Sequence, residues 1–569
     1  MTTRFGPLPG PEGALFRLWA PDAQVVSLAL PDRDPIAMRA AGEGFFEATV
    51  PGAQAGQRYR FLIGDEPVPD PASRQQEGDV GGWSRLRADL PPMRQTAPPR
   101  PWHEVVLAEL HVGTATPQGD FEALIERLDH YVACGITAIE LMPVADFPGR
   151  RNWGYDGVLP FAPEESYGSP AALRALVDAA HARGLGVMLD VVYNHFGPHG
   201  NFLPLYAKRF FNEAHRTPWG AAIALEQPLV RRFFVENAVM WLSEYDFDGL
   251  RLDAVHAFAP PGGDLLLAEI AAACRAVKPD AWLVLENDHN ATRWLERDGS
   301  GRPRLYTAQW NDDAHHALHV TTTGESSGYY AEFAEDPAAA LGVTLAEGFL
   351  RQGASSAHLP PEAFVHFAQN HDQIGNRPLG DRLAGGIAAE RLAFLRFVLL
   401  LSPAVPMIFQ GEEAGLDTPF PFFCDFSGEL AEAVREGRAR EFSAFFAGAS
   451  ELPDPLDPQT MQAAKIPWER MTPEALAPFR KLTAQRRRMV WPLLASGYRG
   501  GEWRQEVSLL LWRWRFAAGT LCLLANPDAL PGEMSIQPRQ DGASVGAAVF
   551  DGSHTRLGPW SACAWVEPA

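Results

Sequence analysis

Cysteine is scarce in this chain, and paired-cysteine spacings are missing. Five cysteines are scattered over 569 residues, mostly inside apolar stretches, and neither CxxC nor HExxH occurs. An odd number of dispersed cysteines is typical of reduced core residues in a cytoplasmic protein. The pattern therefore argues against a disulfide-stapled fold.

Long hydrophobic runs are also rare. The segment Met1 to Gly10 contains no apolar stretch of the kind found in signal peptides, and we expect a cytoplasmic location. The most apolar run, residues 394–409, is interrupted by Arg396, Pro403 and Pro406. It predicts a buried helix followed by a buried strand, so we expect no membrane partner.

Positive charge is in deficit, with 49 Lys and Arg against 70 Asp and Glu and a net charge of −21. Because nucleic acids select basic surfaces, we expect no nucleic-acid partner. The charge leaves open a neutral substrate such as a sugar. It also leaves the oligomeric state open between monomer and dimer. The length predicts roughly two to four domains.

The local patterns divide the chain into four stretches. Residues 1–90 alternate short β-like runs with turns and predict an immunoglobulin-like β-sandwich. Residues 91–102 are rich in proline and predict a linker. Residues 103–490 predict the largest domain, with insertions towards its end. Residues 491–569 return to β-like alternation and predict a C-terminal β-sandwich.

The stretch 103–490 alternates strand-like runs with amphipathic segments such as 120–132 and 169–183. The alternative to a barrel is an open doubly wound sheet, but no G-x-G-x-x-G opens a helix here. Eight strands with intervening helices favour an α/β fold of the (β/α)₈ TIM-barrel type. The predicted strands are 105–114, 136–144, 186–193, 249–255, 282–287, 305–311, 364–370 and 405–410.

Three of these strands carry a carboxylate at or just after their carboxyl end: Asp253, Glu286 and Asp372. Because barrel enzymes carry their sites at the carboxyl ends of the strands, we expect the three side chains to converge. A single aspartate at a strand end is more often a turn or a helix cap. The joint pattern instead favours glycoside cleavage, in which one carboxylate attacks and another donates a proton.

The neighbours of each carboxylate suggest its role. Arg251 and Asp253 are two apart on one strand and share a face, so the guanidinium keeps the acid ionised, as a nucleophile requires. Glu286 follows four apolar residues, and a less polar pocket would raise its pKa to suit a proton donor. Asp372 would stabilise an oxocarbenium-like transition state.

Other residues near the strand ends have two interpretations each. His195 and His371 bind sugar hydroxyls or are structural histidines. Trp153 and Tyr155, on the loop after the second strand, stack as exposed rings on pyranose faces or belong to the core. The cluster 312–316 has the composition of a metal site, but its adjacent residues point apart, so we favour a non-metal interpretation.

Four segments resemble the α-amylase superfamily of glycoside hydrolases: residues 190–195, 249–256, 286–287 and 370–372. The resemblance implies a retaining mechanism with Asp253 as nucleophile, Glu286 as acid/base and Asp372 as transition-state stabiliser. Residues 16–23 resemble the N-terminal sandwich of the branching-enzyme and isoamylase branch. The resemblance and the loop position together predict the following substrate-binding residues: Arg251, His195, His371, Asn194, Asp190, His256, Tyr155 and Trp153.

Loop segments further resemble the malto-oligosyltrehalose trehalohydrolases, at residues 109–114, 143–156, 309–319, 373–377 and 418–426. That family hydrolyses the α-1,4 bond next to the terminal α,α-1,1-linked pair of a malto-oligosaccharide and releases trehalose. A glucan branching enzyme is the alternative, since it shares the carboxylates and differs only in the acceptor. A glucan-binding protein without activity would lack one of the three carboxylates, and all are present.

One segment departs from the superfamily pattern. Many secreted α-amylases carry a long calcium-binding excursion after the third strand, whereas residues 195–229 are short and lack an obvious cage of carboxylates. We therefore expect no metal and no other cofactor.

Overall fold

The computed structural model describes residues 4–92, 100–217, 220–259, 262–350, 355–442, 452–539, 541–550 and 554–569. Eight parallel strands close into a barrel, each paired with the next along the chain and the last with the first. The predicted barrel is confirmed. Its strands are β1 (Leu107–Leu110), β2 (Ala138–Leu141), β3 (Gly186–Val191), β4 (Gly249–Leu252), β5 (Trp282–Leu285), β6 (Ala308–Trp310), β7 (Phe364–Phe367) and β8 (Val405–Phe409).

Helices surround the barrel where the amphipathic pattern places them. The predicted segment 169–183 forms Pro170–His181, which begins after Ser169, whose side chain accepts a hydrogen bond from the backbone N–H of Ala172. Segment 120–132 forms two short helices, Phe121–Ile125 and Leu128–Ala133. The other helices are Val112–Ala115, Leu203–Tyr206, Pro228–Glu244, Gly262–Val277, Asp312–Thr323, Pro337–Glu347, His371–Gly375, Leu383–Gly386, Ala389–Leu401, Gly428–Glu441, Pro458–Ala463, Pro473–Met489 and Trp491–Leu494.

Two antiparallel sheets precede the barrel and form the expected sandwich. Their inner faces share one core, in which the rings of Phe16 and Tyr59 lie 4.7 Å apart. One sheet contains Leu8–Gly10, Gly13–Trp19, Phe45–Pro51 and Arg39–Ala40; the other contains Ile36–Ala37, Val26–Ala29, Arg58–Ile63, Glu66–Val68, Trp83–Arg85 and Gln76–Glu77.

Two further antiparallel sheets follow the barrel, as expected for the C-terminal sandwich. Trp512 and Trp514 donate indole hydrogen bonds to the carbonyls of Gly342 and Leu345, which fixes one sheet against helix Pro337–Glu347. The sheets contain Tyr498–Glu506, Leu509–Phe516, Gly519–Asn526, Ser561–Pro568 and Ala543–Val545, and Gly532–Met534, Thr555–Leu557 and Ala548–Phe550. Two-stranded pairs also join Ala145–Asp146 to Leu159–Pro163 and Phe211–Thr217 to Gly220–Ile223.

The apolar run 394–409 forms the end of helix Ala389–Leu401 and then β8. No helix among the described residues is long and apolar enough to cross a membrane. All five cysteines are buried and unpaired. Most of the predicted linker 91–102 lies outside the described residues, and we keep the domain boundaries near 90, 102 and 490 as a proposal.

Candidate active site

Arg251 stands at the centre of the carboxyl end of the barrel. The side chain projects from β4 and is 0% exposed. Its Nη1 donates hydrogen bonds to Asp190 Oδ2 at 2.6 Å and to Asp253 Oδ1 at 2.8 Å. Its Nη2 lies 2.8 Å from Glu286 Oε2, and the guanidinium carbon lies 4.1 Å from the centre of the Trp310 ring. One buried cation thus joins carboxylates that β3, β4 and β5 supply.

Asp253 is held from two sides. Besides the bond to Arg251, its Oδ2 accepts a hydrogen bond of 2.7 Å from the side-chain amide of Asn194, which also donates to the Asp253 carbonyl at 2.9 Å. Donors to both carboxylate oxygens fix the orientation of this side chain. The predicted pairing of Arg251 and Asp253 on one face is confirmed.

Glu286 lies in a polar setting. Its Oε2 accepts a hydrogen bond of 2.8 Å from the backbone N–H of Ala254, whose φ of +40° turns the chain sharply after β4. The expectation of an apolar pocket around Glu286 is wrong. The apolar residues before it lie along β5, whereas the carboxylate at the strand end reaches Arg251.

Asp372 is the most open of the three carboxylates, with its side chain 37% exposed against 10% for Asp253 and 17% for Glu286. It lies in the first turn of helix His371–Gly375. The Asn370 side chain accepts hydrogen bonds from the N–H groups of Asp372 and Gln373 and closes a capping box. The cap fixes the direction in which the Asp372 carboxylate leaves β7.

His371 connects Asp372 to a buried acid on β1. Glu109 accepts hydrogen bonds from His371 Nδ1 and, at 3.1 Å, from its backbone N–H, while His371 Nε2 lies 3.4 Å from Asp372 Oδ2. Burial alone would lower the pKa of His371, but the carboxylates of Asp372 and Glu109 outweigh it and raise the pKa to about 9. His371 is therefore a cation at neutral pH.

Tyr155 lies beside the carboxylates and contacts Asp190, His371 and His195. Its hydroxyl donates to Asp190 Oδ2 at 2.5 Å, and its ring stacks on His371 with centroids 4.9 Å apart. Its carbonyl lies 2.9 Å from Nε2 of His195. Burial lowers the pKa of His195 to about 4, so this imidazole is neutral. Burial, opposed by Arg251 and reinforced by Asp253, raises the pKa of Asp190 to about 7.

One predicted binding residue, Trp153, lies differently from expectation, and His256 stays a prediction. Trp153 is only 5% exposed, stacks on Phe420 at 5.4 Å and donates to the Pro421 carbonyl, so its expected exposure is wrong and the core interpretation is confirmed. His256 accepts a hydrogen bond from the Asp288 N–H. Within the described residues it forms no hydrogen bond or ion pair with the three carboxylates.

Sequence reasoning missed two buried acids beneath the site, Glu109 and Glu140. They face each other in register on β1 and β2. Glu140 is 0% exposed, and neither carboxyl oxygen has a hydrogen-bond partner among the described residues. Burial, reinforced by Asp190 and Glu109, raises the pKa of Glu140 well above its ordinary range. A charged residue inside each short apolar strand was the signal that could have found both.

Asp312 is a further carboxyl near the site, in the first turn of helix Asp312–Thr323 after β6. Withdrawal from water raises its pKa well above the ordinary range, and the charges of Glu286 and Asp372 act in the same direction. His315, from the same cluster, donates from Nδ1 to the Ala368 carbonyl at 2.7 Å and stacks on the core residue Phe367. Among the described residues no group of three or more His, Cys, Asp or Glu is arranged to hold a metal ion.

Comparisons with known proteins agree with this geometry. Residues 76–215 match the family model of the alpha amylase catalytic domain, and residues 4–72 match carbohydrate-binding module 48, the isoamylase N-terminal domain. A malto-oligosyltrehalose trehalohydrolase from Deinococcus radiodurans is 40% identical over 493 residues, which cover 82% of this chain and 79% of the relative. A Salmonella typhimurium crystal structure described as an alpha amylase is 40% identical, with a TM-score of 0.93 and full coverage of both chains.

The barrel, its flanking sandwiches and the carboxylates gathered around Arg251 define a glycoside hydrolase of the α-amylase superfamily. Within that class, the chain belongs to the malto-oligosyltrehalose trehalohydrolase family. A branching enzyme from Streptomyces coelicolor is 36% identical over 282 residues and covers only 43% of this chain.

Proposed function

We propose that this protein hydrolyses the α-1,4-glucosidic bond next to the terminal trehalose unit of malto-oligosyltrehalose, releasing trehalose and a malto-oligosaccharide. The single observation that carries the proposal is the 40% identity to a relative of that name over 82% of the chain. The convergence of Asp253, Glu286 and Asp372 supplies the chemistry that such a reaction needs.

In the first step, Asp253 attacks the anomeric carbon and forms a covalent glycosyl intermediate, while Glu286 gives its proton to the departing oxygen of the trehalose unit. The hydrogen bonds from Arg251 and Asn194 orient Asp253 for this attack. Arg251 contacts both carboxylates at 2.8 Å, which supports the short separation of a retaining enzyme, about 5–5.5 Å.

In the second step, Glu286 takes a proton from water, and the hydroxide so formed displaces Asp253 from the sugar. Asp372 stabilises positive charge on the sugar ring in both transition states. The pair of Glu109 and His371 holds the first turn of helix His371–Gly375, which carries Asp372.

The remaining predicted residues take supporting roles in this proposal. Tyr155 and His371 present a stacked pair of rings beside the carboxylates, where a pyranose would bind. Asp190 and Asn194 position Arg251 and Asp253. His195 binds a sugar hydroxyl, and His256 contacts the sugar. Trp153 packs edge-on against the His371 ring and supports it.

A branching reaction is the second candidate, because it shares the first step and transfers the glycosyl group to a sugar hydroxyl instead of water. The limited coverage of the branching-enzyme relative argues against it. The test is incubation with malto-oligosyltrehalose and, separately, with amylose. We expect free trehalose from the former. New α-1,6 branches in amylose, without trehalose from the first substrate, would refute hydrolysis.

A further inference from the structure

A cavity of about 690 Å³ lies at the end of the barrel opposite to Asp253, Glu286 and Asp372. Its walls come from the places where strands begin: Trp102 precedes β1, Trp282 opens β5 and Glu362 precedes β7. The volume is within the range of small-molecule sites, about 300–1,000 Å³. Nothing in the hydrolysis proposed above uses this end of the molecule.

Two indoles form the apolar part of the wall. The rings of Trp102 and Trp282 lie 5.5 Å apart, and Trp102 is half-buried, whereas Trp282 is buried. Trp102 is fixed in place because its Nε1 donates a hydrogen bond of 2.8 Å to the Glu362 carbonyl. A rigid indole with an accessible face suits the C–H face of a pyranose.

Two arginines that line the same cavity, Arg275 and Arg297, are also fixed in place. Arg275 donates from Nε to the Leu305 carbonyl at 2.9 Å and from Nη2 to Thr307 Oγ1 at 3.3 Å. Arg297 donates from Nη2 to the Thr307 carbonyl at 2.6 Å. Because the protein already orders these guanidiniums, a ligand that uses their remaining N–H groups loses little further side-chain entropy.

Glu362 supplies an acceptor on the same cavity. The residue lines the cavity and is half-buried, so its carboxylate can accept a hydrogen bond from a ligand hydroxyl. The cavity therefore combines an indole face, fixed donors and an acceptor.

We propose that this cavity binds one or two glucose units of an α-glucoside, as a saccharide site separate from the active site. A hydroxyl can donate to Glu362 and accept from Arg297 at once, and vicinal hydroxyls match the planar carboxylate and guanidinium groups. A phosphate fits less well, because backbone carbonyls already occupy much of both guanidiniums and Glu362 would repel an anion. The proposal goes beyond the hydrolysis and does not depend on it.

The test is isothermal titration calorimetry of the full chain carrying Glu286→Gln, with maltotriose and, in a separate arm, trehalose. We expect at least one of the two saccharides to bind with two equivalents per protein chain. Comparing the two arms shows whether a glucan chain or free trehalose occupies the second site. Adding Glu362→Gln or Arg302→Gln should weaken the second equivalent by about tenfold. Arg302 also lines the cavity, and it is exposed, so its replacement does not threaten folding. Arg293→Gln, an exposed arginine paired with Asp264 outside the cavity, is the matched control and should change nothing.

Three results would overturn the proposal. One is a single equivalent of both sugars that Glu362→Gln and Arg302→Gln leave unchanged. Another is a second equivalent that neither Glu362→Gln nor Arg302→Gln weakens. The third is glucose 6-phosphate binding that Arg302→Gln abolishes while neutral sugars do not bind there, since that result identifies an anion site.

Discussion

The two ends of the barrel balance buried charge in different ways. At the carboxyl end, one guanidinium, Arg251, serves three carboxylates from three strands. At the amino end, Arg275 and Arg297 are held mainly by backbone carbonyls and a threonine hydroxyl. In a side-chain network, replacing one residue changes the interaction energies of the others, whereas replacing a side chain that is bonded to main-chain carbonyls affects mainly that one site. Substitutions should therefore have large, coupled effects at the first end and small, separate effects at the second.

Replacing either of the two carboxylates that are proposed to react should have the largest effect at the carboxyl end. Asp253→Ala and Glu286→Gln should each lower kcat by about 10⁴-fold or more, because one removes the nucleophile and the other the proton donor. Steady-state kinetics with malto-oligosyltrehalose measures the loss, and circular dichroism checks the fold. Asp264→Asn, at an exposed carboxylate, is the control and should retain activity. Near-normal turnover in either active-site variant would show that the replaced residue does not have the role proposed for it.

Removing the shared cation should affect stability as well as rate. Arg251→Met leaves Asp190, Asp253 and Glu286 without their common partner, and an uncompensated buried charge costs about 3–5 kcal/mol. We expect a lower melting temperature together with a large loss of kcat. Arg33→Met, at an exposed arginine in the N-terminal sandwich, should leave both unchanged. An Arg251→Met protein as stable as the parent would show that the carboxylates do not depend on this cation.

The protonation of His371 should set the upper pH limit of both activity and stability. Its pKa in the folded protein, about 9, lies above the ordinary value of 6.5. The charged imidazole thus contributes stability that is fully present below about pH 6.5 and is lost as the pH rises through about 9. Activity and melting temperature should both fall across that interval.

The His371→Gln variant should lack this alkaline transition, while His256→Gln, at the rim, should keep it. Melting curves and kcat recorded from pH 6 to about pH 10 distinguish the two variants. If His371→Gln shows the same fall near pH 9 as the parent, another group is responsible.

Glu140 should give the smallest effect at the carboxyl end, although it is fully buried. Burial strongly favours the neutral form of its carboxyl, so glutamine should reproduce both its shape and its charge. Glu140→Gln should change the free energy of unfolding by no more than about 1 kcal/mol and leave the alkaline transition in place. A shift of that transition by more than about one pH unit would mean that Glu140 is ionised and part of the charge balance.

The sequence was sufficient for much of the architecture because the relevant signals are local. All eight barrel strands fall inside their predicted ranges, since each is a short apolar run between amphipathic segments. Asp253, Glu286 and Asp372 could be selected because polar residues at the carboxyl ends of parallel strands meet at one end of a barrel. The contacts of Arg251 with Asp253 follow from a spacing of two along one strand.

Contacts between residues that are far apart in sequence could not be predicted in the same way. The neighbours of Glu286 along β5 are apolar, yet its carboxylate reaches Arg251 across from β4. Glu109 and Glu140 become a pair only once β1 and β2 align in register. Trp153 is buried because Phe420, far away in sequence, covers it.

The most direct test of the central claim is proton NMR of the first products formed from malto-oligosyltrehalose. The account predicts free trehalose and a malto-oligosaccharide whose new reducing end is initially the α anomer, because two displacements at the anomeric carbon retain its configuration. A new reducing end that is initially β, or cleavage without free trehalose, would contradict the account.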